Sequence, residues 1–139
     1  MAEKKYIKPM PRIDEESKGF WEACRRHELY VQRCGACGLL RHYPRALCPT
    51  CLSDQIEWVK SSGRGTVYTF TVTYQNQAPG FREELPYVLA YVQLEEGVRL
   101  LTNIVGCPAD DVRIGMPVEV VFDDVTSEVT LPKFRPAGS

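Results

Sequence analysis

A chain of 139 residues that is 44% hydrophobic can bury a core, and its length suits one domain or a compact pair of small modules. A formal net charge of −1 gives none of the overall positive field on which nucleic-acid binders rely. The opening "MAEKKYIKPMP" has charges but no apolar run to make a signal peptide. The longest apolar-rich stretch, "YVLAYVQL", is far short of the ~20 residues that span a bilayer. A cytoplasmic protein with no membrane or nucleic-acid partner is expected.

The charge is uneven. Residues 1–64 hold 12 Lys/Arg against 8 Asp/Glu, and residues 65–139 hold 5 against 10. A basic front half could meet a phosphorylated ligand or an acidic partner, although a solvated face explains it equally well.

In chain order, "PRIDEESKGFWEACRRHELYVQRC" predicts a helix and then a strand. Asp14 suits the N-cap, and Glu15 and Glu16 suit the positive end of the helix dipole. Phe20, Trp21 and Cys24 recur at helical spacing, and Arg25, Arg26 and His27 fall at the end where cations are favoured. The stripe must bury against the protein's own core or against a partner. Leu29 to Arg33 reads as a short strand.

Four of the six cysteines follow in "CGACGLLRHYPRALCPTC", with the spacing C-x2-C-x10-C-x2-C. Each CxxC offers two thiolates from one tight turn, and two such turns close a tetrahedron around a metal. A glycine after each of Cys34 and Cys37 permits a tight backbone, and Pro49 presets φ in the second turn. With Cys34, Cys37, Cys48 and Cys51 all as ligands, no position stays open for water, so the predicted role of one structural Zn2+ per chain is to fold a ribbon. Iron fits the same ligands. His42, inside the loop, reads as a surface histidine. Cys24 and Cys107 read as packing and loop residues.

After "IEWVK" the pattern is of strands. "GTVYTFTVTYQ" alternates, with Val67, Thr69, Thr71 and Thr73 on one side and Tyr68, Phe70, Val72 and Tyr74 on the other. "YVLAYVQL" and "VRLLTNIVG" flank a turn at Glu95-Glu96-Gly97, "PADDVRIGMP" holds at most one helical turn, and "PVEVVFDD" with "SEVTLPKF" forms a last hairpin. Five strands with a small helix between the third and fourth match an OB-fold barrel, with a small sandwich as the alternative. The fold class is mainly β. It divides into a helical segment with a lead-in strand (1–33), a rubredoxin-like zinc ribbon (34–60) and an OB-fold barrel (61–139). Residues 76–85, with Phe81 at the tip, form the longest irregular loop. No P-loop, dinucleotide-binding glycine motif or nucleophile elbow occurs, and nothing assembles a nucleophile, a base and an oxyanion hole.

The segments "FWEACRRHELYVQRC", "CGACG…CPTC", "GRGTVYTFTV", "LPYVLAYVQLEEGVRLLTNIVG", "IGMPVEVVF" and "KFRPA" together resemble the acyl-CoA-associated zinc-ribbon/OB-fold family known as domain of unknown function 35. The likeness runs from about Glu16 to Ala137. It implies zinc on the four cysteines, a helix and ribbon that dock on a separate thiolase-fold enzyme subunit, and a barrel lying near acyl-CoA. It also implies a non-catalytic accessory role in a hetero-oligomer. The alternatives are an accessory subunit of a hotdog-fold enoyl-CoA hydratase and, more distantly, a single-strand nucleic-acid module. Under this resemblance Arg25, Arg26 and Arg41 are candidates to meet coenzyme phosphates, with Arg33 and Arg45 near them in sequence. Phe20, Trp21, Tyr30 and Phe81 are candidate apolar contacts.

Overall fold

A computed structural model describes residues 8–137, so most of the opening segment read for targeting signals lies outside the described residues. The first helix, α1 (Lys18–Arg25), starts later than the acidic run implies. Asp14 still caps, but it caps the turn that leads in. Its Oδ1 accepts the Ser17 N–H and hydroxyl at 2.9 Å each, and Asp14 N donates to Ser17 Oγ at 3.2 Å. This reciprocal box satisfies backbone donors that the helix start would leave open. The Ser17 hydroxyl holds the Asp14 carboxyl below its ordinary range. At the far end, Glu28 N donates to Ala23 O and His27 N to Cys24 O, both at 2.9 Å, with His27 in the left-handed region at φ 59°. That is a Schellman stop with histidine in the place glycine usually takes. The His27 ring stacks on Phe122 and its Nε2 lies 2.9 Å from Asp124 Oδ1.

A three-strand antiparallel sheet follows, built from β1 (Tyr30–Cys34), β2 (Leu40–Arg41) and β3 (Ile56–Lys60), in the order β2-β1-β3. The remaining strands are β4 (Arg64–Thr73), β5 (Tyr87–Leu94), β6 (Arg99–Ile104), β7 (Pro117–Asp124) and β8 (Thr130–Pro136). They close a barrel in the order β4-β5-β6-β8-β7, with β6 and β8 parallel. A closed five-strand barrel with a short helical turn (Ala109–Asp111) between its third and fourth strands is the OB-fold. No helix among the described residues is long and apolar enough to cross a membrane.

Simple alternation along β4 fails at one point. A register shift falls between Val67 and Thr69, which makes Tyr68 the extra residue of a bulge. Val67 therefore joins Phe70 and Val72 on the core side, while Tyr68 faces out with Thr69 and Thr71. Tyr74, beyond the strand, is exposed as well.

One core serves both parts. Phe20 and Cys24 of α1 and Val31 of β1 belong to the same buried cluster as Val67, Val92 and Phe134 of the barrel. Two carboxylates of the β5–β6 turn fasten the short connection between β3 and β4. Glu96 accepts the Ser61 hydroxyl at 2.7 Å and the Ser62 N–H at 3.0 Å, and Glu95 accepts the Ser62 hydroxyl at 2.9 Å. Side chains of the 76–85 loop anchor it to Tyr87 of β5 and to Lys8. Phe81 packs on Tyr87 beneath Lys8, Asn76 donates to the Tyr87 hydroxyl at 2.9 Å, and Lys8 pairs with Glu84.

Candidate metal centre and a cleft between helix, ribbon and barrel

The end of β1 with the turn after it, and the loop between β2 and β3, bring Cys34, Cys37, Cys48 and Cys51 together. Their sulfurs all lie within 4.8 Å of one another, and the Cys34–Cys51 and Cys37–Cys48 pairs are 3.6 Å apart. A tetrahedron of Zn–S bonds of about 2.3 Å has edges of about 3.8 Å, so the donor set fits such an ion. Each CxxC turn repeats the same backbone. Gly38 N donates to Cys34 O and Leu52 N to Cys48 O, both at 2.9 Å, and both donors have positive φ, 80° and 63°. Glycine adopts this freely at 38, whereas Leu52 adopts it against its Cβ.

The amides that form these turns also stabilise thiolate. The Cys37 N–H, 3.4 Å from Cys34 Sγ, brings the Cys34 thiol down to about 6, and the Cys51 N–H lowers Cys48 in the same way. The buried Cys24 is the reverse, pushed up to about 12 by desolvation, and so behaves as a small hydrophobe. Burial also raises Cys107, with Asp111 adding to it.

A cleft of about 410 Å³ opens where α1, the ribbon loop and the outer barrel surface meet. Trp21, His42 and Tyr43 form one wall and Tyr91 and Leu101 the other, with Arg99 and Lys133 also lining it. Trp21 Nε1 donates to the Tyr43 hydroxyl at 3.1 Å, and the Arg99 guanidinium lies 3.7 Å over the Tyr68 ring. His42 is not the surface loop residue its position implied. It packs 5.0 Å from Phe20, and burial pulls its imidazole down to about 4, so it is neutral at pH 7.

Of the candidate contact residues, Phe20 and Trp21 line this cleft, Phe20 with its side chain in the core. Arg25 points to solvent on the outer helix face, and Arg26 pairs with Glu28 at 3.1 Å. Tyr30 lies near the same Glu28. Arg41 is buried. Its Nε donates to Gln32 Oε1 at 2.9 Å and its Nη2 to Arg45 O at 3.0 Å, so its charge braces the ribbon loop from within. Phe81 sits in the β4–β5 loop and does not line the cleft. Sequence reasoning missed Tyr43, Tyr91, Leu101, Arg99 and Lys133. Alternation along β5 and β6 held the signal for two of them, because Tyr91 and Leu101 pair across the strands on the outward face.

Comparison with known proteins agrees with this architecture. Residues 21–57 match the model of the ChsH2 rubredoxin-like zinc ribbon domain, and residues 58–123 match that of the ChsH2 C-terminal OB-fold domain. A DUF35 domain-containing scaffold protein of Methanocaldococcus jannaschii is 43% identical over 99 residues, covering 70% of this chain and 69% of that protein. The chain belongs to the DUF35 family. This DUF35 chain is also 43% identical over 133 residues to a probable enoyl-CoA hydratase alpha subunit of Thermomonospora curvata. That match takes in 96% of the chain but 41% of the relative, so the chain spans about two fifths of its length. Among solved structures, a chain of the Ltp2-ChsH2(DUF35) aldolase superposes with a TM-score of 0.85 at 43% identity, covering 93% of the DUF35 chain and 100% of the other.

Proposed function

We propose that this DUF35 chain is a non-catalytic accessory subunit of a separate, thiolase-type acyl-CoA enzyme. Cys34, Cys37, Cys48 and Cys51 hold one structural Zn2+, which ties the two ribbon turns together when bound. The observation that carries the reading is a set of four cysteine sulfurs spaced for a closed tetrahedron, in a chain that also has a cleft whose walls come from helix, ribbon and barrel together. Such a metal shapes the ribbon and leaves no coordination position for substrate. The cleft is then where the partner's acyl-CoA meets this subunit. Its Trp21, Tyr43, Tyr91 and Leu101 suit an apolar arm, and Arg99 and Lys133 suit phosphate. Support for a carbon–carbon bond enzyme as partner comes from the solved relative, a chain of an aldolase, a reaction class nearer to thiolase than to hydratase chemistry.

The hydratase name of the Thermomonospora curvata relative favours a second reading of the partner alone, with the accessory role unchanged. Affinity capture of the tagged chain from its native cells, followed by identification of co-eluting proteins, tests both. A thiolase-type subunit is the expected result, and a hydratase subunit selects the second reading. Nucleic acid with no acyl-CoA enzyme would contradict the proposal.

A further inference from the structure

The barrel is closed and leaves no strand edge open, but among the described residues the ribbon sheet ends on β3, which pairs on one side only. Gly35 N donates to Gln55 O at 3.0 Å and Ser61 N to Leu29 O at 2.8 Å, and between them Arg33 pairs with Glu57 and Val31 with Val59. Because hydrogen-bonded and non-bonded pairs alternate in an antiparallel ladder, Gln55, Glu57, Val59 and Ser61 turn their backbone groups toward β1. Ile56, Trp58 and Lys60 therefore turn theirs outward, where no described strand lies. Edges of this kind are templates for another strand.

Beside the edge is a depression of about 520 Å³ lined by Glu15, Glu16, Glu22, Gln32, Ile56 and Trp58, with Lys18 also present. None of the three glutamates forms an ion pair among the described residues. Trp58 is 37% and Ile56 38% exposed, although the Trp58 ring also covers Gly19, where a Cβ would stand 2.8 Å from it. Gln32 is 1% exposed. Its Oε1 accepts from Arg41 Nε at 2.9 Å and Arg45 N at 2.8 Å, which fixes the amide, yet its Nε2 has no acceptor. Arg41 Nη1 beside it is likewise buried without a partner, and an internal water satisfies donors of this kind.

We propose that an extended segment of the separate enzyme subunit adds to β3 as a fourth strand. It lays a Lys or Arg side chain across Trp58 toward Glu15, Glu16 and Glu22. The inference rests on the accessory-subunit reading above. Main-chain pairing at Ile56, Trp58 and Lys60 supplies affinity, and the carboxylates and indole fix the register.

Residue-resolved hydrogen exchange on the free chain and on the complex captured from native cells tests it. In the free chain the Ile56, Trp58 and Lys60 amides exchange fast, while Glu57 and Val59 are protected. In the complex the first three slow at least tenfold. A complex whose outward amides stay fast overturns the strand addition and leaves the accessory role standing, whereas capture of no enzyme subunit overturns both. Protection that grows with concentration in the free chain also overturns it, by assigning the edge to a second copy. Ile56→Pro removes an outward N–H and no bond to β1. It should weaken partner binding at least tenfold with metal content and melting temperature unchanged, and unaltered affinity in a folded variant would refute the proposal.

Discussion

Leu52 and Gly38 occupy equivalent places in the two ribbon turns, both at positive φ, and Leu52 is 72% exposed. An L-residue in that region costs about 1–2 kcal/mol, and nothing lies within 4 Å of a Cβ added at Gly38, so the conformation alone decides the effect there. Gly38→Ala should lower stability by about 1 kcal/mol and Leu52→Gly should raise it by a similar amount, read as opposite shifts in thermal melting. Shifts of the same sign would contradict the equivalence. His42 makes a pH prediction. Burial holds it near 4 against an ordinary 6.5, so as pH falls the unfolded chain binds the proton first. Stability from this group is complete above pH 6.5 and is lost between 6.5 and 4, by up to about 3 kcal/mol. The difference in stability between the wild-type chain and His42→Phe should therefore shrink or reverse from pH 7 to pH 5, and a difference independent of pH would show that the ring is solvated. The cysteines were legible as a metal site because each pair's geometry is set by two intervening residues. Arg41 was not legible as an internal brace, because its partner Gln32 reaches it only through the pairing of β1 with β2.

At the scale of elements, the strand pattern carried most of the barrel, since residues alternating in and out write themselves into five runs of sequence. The bulge at Tyr68 broke that logic, because one extra residue exchanges the faces of everything on one side of it. The start of α1 was blurred by Asp14, whose capping chemistry sits one turn ahead of the regular helix. Nothing in the sequence showed why Gly19 stands inside the first turn of that helix. The reason is the Trp58 ring, 2.8 Å from a Cβ placed there. Gly19→Ala should destabilise the chain by about 1–3 kcal/mol through overpacking, despite alanine's better helix propensity. Trp58→Ala should relieve most of that cost, and a double-mutant cycle by chemical denaturation measures the coupling. Additive effects would mean that helix and ribbon do not meet there.

For the whole molecule, the parts depend on one another through the shared core and the Ser61–Glu96 fastening. Cys34→Ala should remove most of the bound zinc and lower stability by several kcal/mol, since metal binding in small ribbons is folding free energy. Retention of both zinc and melting temperature would refute the assignment. The cleft was the least legible feature, because its walls come from residues as far apart as Trp21, Tyr43, Tyr91 and Lys133 and exist only once ribbon and barrel are docked. The most direct test of the accessory role is native mass spectrometry of the assembly captured from native cells. It should resolve this chain with one zinc ion, bound in fixed stoichiometry to an acyl-CoA enzyme subunit. A chain that emerges alone, metal-free or bound only to nucleic acid would contradict it.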